Sequence, residues 1–195
     1  MKKNIIIYGT SRSGKTTLAE KINKRLCYSL FSIDSLVTAF QETYPELGIN
    51  HYSRDGSAVK MLNEFLWAYI NTSSSKSKRR RNINFVFEGS YFDINTLTIP
   101  YYQEKFIILV LLSLYDSPLQ YYEILKKHDT VNDWTFNLSD EELMDYANNL
   151  YQDNLRLKQE CDARNIPYYD TAVDRENVLE DIIEQLKGRV EEVRL

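Results

Sequence analysis

Residues 9–17 read Gly9-Thr10-Ser11-Arg12-Ser13-Gly14-Lys15-Thr16-Thr17, and Gly9 to Thr16 match G-x-x-x-x-G-K-[ST], the pattern of a phosphate-binding loop. The flanks supply the context this motif requires. Upstream, Asn4-Ile5-Ile6-Ile7-Tyr8 is a short apolar run bounded by polar residues, as expected of a buried parallel strand. Downstream, Leu18, Ile22 and Leu26 recur on one helical face. In such a loop the backbone N–H groups point inward and the helix N-terminus adds the positive end of its dipole, a cradle for anionic oxygens. Gly9 and Gly14 let the backbone come close to phosphates. Thr10, Ser11, Arg12, Ser13 and Thr17 complete the expected phosphate shell. Lys15 is placed to bridge β- and γ-phosphates, and the Thr16 hydroxyl to ligate Mg2+. The stretch predicts a nucleoside triphosphate site, with ATP and Mg2+ as its ligands.

At 195 residues the chain fits one domain, and 43% hydrophobic residues suffice for a core. A formal net charge of -4 argues against a nucleic-acid binder, whose domain should be basic. Cys27 and Cys161 lack metal-ligand or redox spacing, so they read as buried or unreactive thiols in a reducing compartment. The longest apolar run, Phe106 to Leu112, is strand-sized, and the chain enters its first strand almost at once. These features predict a soluble cytoplasmic protein without a membrane partner.

Strand and helix patterns alternate along the chain, which argues for α/β with a parallel sheet. Tyr28–Ile33 reads as the second strand, ending at Asp34, with a helix to about Phe40 and a mobile loop over Tyr44–Gly56. Ser57–Ile70 reads as a helix burying Met61, Leu62, Phe65, Leu66 and Tyr69, followed by a basic loop at Thr72–Arg81. Its run from Lys76 to Arg81 has no interleaved aromatics and reads as a solvated loop. Ile83–Phe87 is the third expected strand, ending at Glu88-Gly89, and Phe106–Leu112 the fourth. Ser117-Pro118 and Ser139-Asp140-Glu141-Glu142 open helices, the second running to about Ala163. Ile166–Tyr169 is the fifth strand, and Asp174–Lys187 the last helix.

Ligands in parallel sheets gather at the carboxyl ends of the strands. The phosphate loop, Asp34 and Glu88 all fall there. A carboxylate closing a rigid strand suits the water shell of a magnesium ion. The bland alternatives are a helix N-cap for Asp34 and a strand-terminal surface acid for Glu88.

These residues resemble the P-loop kinase group that includes adenylate, cytidylate, shikimate and gluconate kinases. The resemblance rests on the phosphate loop and the turns Ile33-Asp34-Ser35, Phe87-Glu88-Gly89-Ser90 and Tyr169-Asp170-Thr171, and it spans nearly the whole chain. It implies a three-layer α/β P-loop NTPase fold with a five-stranded parallel sheet of order 2-3-1-4-5. It also implies a lid near Tyr115–Leu138 and Mg-dependent transfer of the γ-phosphoryl group of ATP to a nucleotide or small metabolite. By the same likeness Asp34 contacts the acceptor or metal, Glu88 and Gly89 lie over the acceptor, and Asp170–Val173 lie against adenine.

Lids in that group supply arginines, whereas Tyr115–Leu138 offers only Lys126, Lys127 and His128 as basic residues. Lysine cannot grip a phosphate bidentately. Arg156 is therefore the alternative clamp, its competing role a solvated helix charge. Arg54 sits where monophosphate kinases bind their acceptor's phosphate. The expected catalytic set is Lys15, Asp34, Glu88 and Arg156, with Thr16 and Glu88 toward the metal. A second functional class stays open: a nucleotide-dependent regulatory protein without a metabolite acceptor.

Overall fold

The computed structural model describes residues 3–51, 56–80, 84–131 and 133–192. Strands β1 (Asn4–Gly9), β2 (Ser29–Ser32), β3 (Phe85–Gly89), β4 (Phe106–Leu112) and β5 (Tyr169–Asp170) form one parallel sheet in the order β2-β3-β1-β4-β5. The helices are α1 (Lys15–Leu26), α2 (Ile33–Thr43), α3 (Ser57–Arg80), α4 (Ile94–Leu97), α5 (Pro100–Lys105), α6 (Pro118–His128), α7 (Asp140–Arg164) and α8 (Arg175–Glu192), with a 3-10 turn at Pro45–Leu47. This is the expected three-layer topology.

Parallel strands need both faces covered, and β1 shows how. Ile5 and Ile7 pack with Leu18 and Ile22 of α1 and Leu179 and Ile183 of α8. Ile6 faces the other way, with Phe87 and with Leu62, Leu66 and Ile70 of α3. Val110 and Leu112 of β4 meet Leu157 and Cys161 of α7. The α6–α7 hairpin has its own cluster, built on Tyr121, Leu125, Leu143, Ala147 and Leu150.

Several expectations are corrected. Helix α2 begins at Ile33 because the Ser32 hydroxyl accepts from the Ser35 N–H, so Ser32, not Asp34, is the N-cap. Helix α3 continues through the expected basic loop to Arg80, since no glycine or proline interrupts it. Its buried face is rotated as well: Leu62, Leu66, Trp67 and Ile70 are buried, while Met61, Phe65 and Tyr69 are exposed. Strand β3 takes in Glu88 and Gly89 instead of ending before them, and β5 is only Tyr169–Asp170. Cys27 is exposed at the C-cap of α1, and Cys161 is buried. Of the expected mobile loop, Arg54 lies outside the described residues. Among the described residues no helix is long and apolar enough to cross a membrane.

Candidate active site

The phosphate loop leaves the end of β1 against the backbone of β4. A Cβ on Gly9 would stand 2.1 Å from the Leu111 carbonyl oxygen, so only glycine allows this approach. Lys15 is buried, and its Nζ donates to the Thr10 carbonyl at 2.6 Å; the Ser13 hydroxyl donates to the same oxygen at 2.9 Å. The lysine thus folds back over its own loop, where phosphate oxygens would compete for it.

Four elements brace the loop. The Thr10 hydroxyl donates to Asn154 Oδ1 of α7 at 2.8 Å, and that oxygen also accepts the Ser113 N–H at 2.8 Å. Thr171, just after β5, has its hydroxyl oxygen 3.0 Å from the Ser13 carbonyl oxygen. Arg175 of α8 donates to the Arg12 carbonyl at 2.9 Å. The fourth brace is the connector between α6 and α7. Arg12 donates to Asp133 at 2.8 Å and to the Thr135 hydroxyl at 2.6 Å, and it lies 3.1 Å from Asp129. Lys126, one of the basic residues between Tyr115 and Leu138, pairs with Asp140 at 2.7 Å. The α6–α7 connector thus meets the loop with acids, and the loop supplies the arginine.

Glu88 is 1% exposed, so it is not a surface acid. The Thr16 hydroxyl donates to its Oε2 at 3.3 Å. Burial, with the nearby Asp34 charge, pushes its carboxyl above the usual range, while hydrogen bonds from Ser32 and Thr16 and the Lys15 charge pull the other way. Asp34 sits in the first turn of α2, where its Oδ1 accepts the Ser90 N–H at 3.4 Å. Gly89 makes this approach possible. A Cβ there would come 2.7 Å from Ile33 Cβ and 3.2 Å from Asp34 Oδ1. The fold therefore brings Lys15, Thr16, Asp34 and Glu88 to one end of the sheet. Thr16 and Glu88 are a hard-oxygen pair that fits Mg2+, which is commonly held by one or two carboxylates together with substrate phosphates.

Beside this cluster opens a cavity of about 750 Å³, running from Gly9 and Thr10 to Tyr102 and Arg164. Arg156 lines it, 58% exposed along its side chain and donating to Asp153 at 3.0 Å. Asp34 and Glu88 do not line it, but Ser90, bonded to Asp34, does. Asn154, Trp67 and Arg164 are not among the residues anticipated from sequence. Asn154 was visible as a polar interruption in the apolar stripe Leu143, Ala147, Leu150, Leu157, Cys161. Trp67 carried no comparable signal.

No protein-family profile and no curated protein matches the chain. Among solved structures it is similar to a shikimate kinase from Bacteroides thetaiotaomicron, with a TM-score of 0.55 and 14% identity over 97% of this chain and 98% of that one. It is similar to a sugar kinase from Janibacter at 0.54, with 12% identity over 96% and 95% of the two chains. A shikimate kinase from Aquifex aeolicus gives 0.50 at 14% identity, over 96% and 98%. At such identities the likeness is one of architecture, and the architecture is the P-loop kinase fold.

Proposed function

We propose that this protein is a phosphotransferase that moves the γ-phosphoryl group of ATP to a nucleotide or small metabolite. The observation that carries the reading is the contact of Thr16 with Glu88 at 3.3 Å, on a phosphate loop that opens into a large cavity. One end suits a triphosphate and the other an acceptor. The loop N–H groups and Lys15 would hold the β- and γ-phosphates. Thr16 and Glu88 would hold Mg2+, which when bound neutralises charge on those phosphates. The acceptor oxygen attacks the γ-phosphorus, the bond from that phosphorus to the bridging oxygen breaks, and ADP leaves. Where the acceptor is a hydroxyl seated at the loop end of the cavity, Asp34, behind the lining residue Ser90, would take its proton. Positioning and charge supply most of such catalysis, since little covalent work falls to the protein.

A coupled assay tests this. ADP production that requires an added metabolite and disappears in Lys15→Ala supports phosphotransfer. Acceptor-independent hydrolysis would favour a nucleotide-driven switch, the reading to which the docked, arginine-free lid lends weight.

A further inference from the structure

We propose that the flank formed by α2, β2 and α3 is an interface between two copies of this chain, packed about a twofold axis. The first half of α3 is apolar along two neighbouring ridges. Leu62, Leu66 and Ile70 are buried with Ile6 and Phe87 of the sheet. Met61, Phe65 and Tyr69 form a second ridge, spaced by four residues, that one chain leaves exposed. Side chains at that spacing lie one above the other along a helix, and Phe65 and Tyr69 stack at 6.2 Å. A surface helix ordinarily turns polar residues outward, so a second apolar ridge needs a second cover. The ridge stands at the outer flank because β2 is an edge strand of the sheet.

Neighbouring elements widen the ridge into a patch. Phe31 of β2 meets Tyr69 at 4.9 Å, and Phe40 of α2 meets Phe65 edge-on at 5.6 Å. Tyr44, one turn beyond Phe40 at the C-cap of α2, is exposed as well. Exposure is 51% at Tyr44, 43% at Phe65, 39% at Met61 and 37% at Tyr69. At about 200 Å² for a large apolar side chain, these four leave roughly 350 Å² bare. One partner in a standard interface contributes about 800 Å², of which roughly 450 Å² is apolar. The patch therefore supplies most of the apolar share that one protomer of a stable dimer needs.

The charges at the two ends of the flank select a second copy as the occupant. Helices α2 and α3 run in opposite directions, since Phe31, before α2, meets Tyr69, while Phe40, late in α2, meets Phe65. The exposed acids Glu42 and Glu46 thus follow α2 toward the N-terminal end of α3. The Lys60–Glu64 pair at that end adds no net charge. The last turns of α3 carry the sequence Lys76-Ser77-Lys78-Arg79-Arg80. One flank is therefore acidic at one end and basic at the other. A twofold that sets two α3 helices antiparallel brings the basic end of each toward the acidic end of its partner. A parallel pairing would oppose like charges. Self-complementarity of this kind is what an isologous contact requires. The aromatic ridge supplies the affinity, and the charged ends fix the orientation.

The test is sedimentation equilibrium of the full chain at micromolar concentrations. The expected result is a concentration-dependent species of twice the 23.0 kDa chain mass. Phe65→Glu and Met61→Lys, each checked for folding by circular dichroism, should raise the dissociation constant by at least about thirtyfold, the scale of a central hot-spot residue. Leu119→Lys, at an exposed apolar position on α6, should leave it unchanged. Should Phe65→Glu fail to fold, Met61→Lys decides, because Met61 lies at the exposed end of the ridge. A chain that stays monomeric overturns the proposal, whether or not a different protein covers the flank. A dimer that survives both ridge substitutions overturns it too. Glu42→Lys combined with Glu46→Lys should weaken the dimer, and an unchanged dissociation constant overturns the antiparallel arrangement.

Discussion

Asn154 Oδ1 accepts both the Thr10 hydroxyl and the Ser113 N–H at 2.8 Å, so one buried amide ties the phosphate loop and the end of β4 to helix α7. Its own Nδ2 donates to the Leu150 carbonyl at 2.8 Å, which fixes the amide's orientation. Asn154→Leu keeps much of the volume but strands a hydroxyl and a backbone N–H away from water. Each stranded group costs about 1–3 kcal/mol, so the melting temperature should drop by several degrees and ATP affinity should weaken with it. A double-mutant cycle with Thr10→Val should return a coupling above about 0.5 kcal/mol. Additive effects would mean the two residues act independently.

Arg12 fastens the α6–α7 connector, so Arg12→Ala should release it. Amides between residues 129 and 138 should then exchange faster, while those of β1 and β4 keep their protection. Asp133 sets the pH range of the latch. Hydrogen bonds from the Thr130 N–H and hydroxyl, with the Arg12 charge, hold its carboxyl below the usual range. A depressed carboxylate keeps its contribution above the unfolded value and loses it as pH falls through the folded one. The latch should therefore persist at pH 5 and open only below the ordinary Asp range. Trp134, exposed beside Asp133, gives a fluorescence readout. Opening between pH 5 and 7 would contradict this assignment.

Glu88→Gln keeps shape and hydrogen bonding but removes a buried charge. Turnover should fall by about two orders of magnitude, roughly 2.7 kcal/mol at the transition state. The unliganded protein should melt at the same or a higher temperature, because a buried carboxylate disfavours the folded state. Activity lost together with stability would instead indicate a structural role.

Asp34 and Ser32 can be separated. Ser32→Ala removes the cap of α2, at about 1 kcal/mol of stability, together with one hydrogen bond to Glu88. Asp34→Asn leaves the cap in place and should abolish transfer with near-normal ATP binding. Kinetics equal to the parent in Asp34→Asn would take Asp34 out of the reaction.

The phosphate loop and several helix starts were legible because their signals are local: a fixed-spacing motif behind an apolar strand, and caps such as Ser139 with Glu142, whereas the sheet order came only from the resemblance to the P-loop kinase group. Strand β4 matched residue for residue because Phe106–Leu112 is uniformly apolar and sharply bounded. Helices α4 and α5 escaped notice because four and six residues are too few to display a period. The polar end of α3 propagates the helix without an apolar stripe, so its pattern resembles a loop. Glu88 was identifiable as a strand-end acid, but its burial depends on β3 lying between β1 and β2. Arg12 was expected to meet phosphate; its partners Asp129 and Asp133 lie more than a hundred residues away, beyond any local pattern.

Helix α7 has two differently anchored halves. Leu143, Ala147 and Leu150 belong to the hairpin, and Leu157 and Cys161 belong to the sheet, with Asn154 between them. The arm from Asn154 to Asp140 is about 21 Å, so a tilt of about 10° about Asn154 would sweep the hairpin end through roughly 4 Å while leaving Thr10 nearly in place.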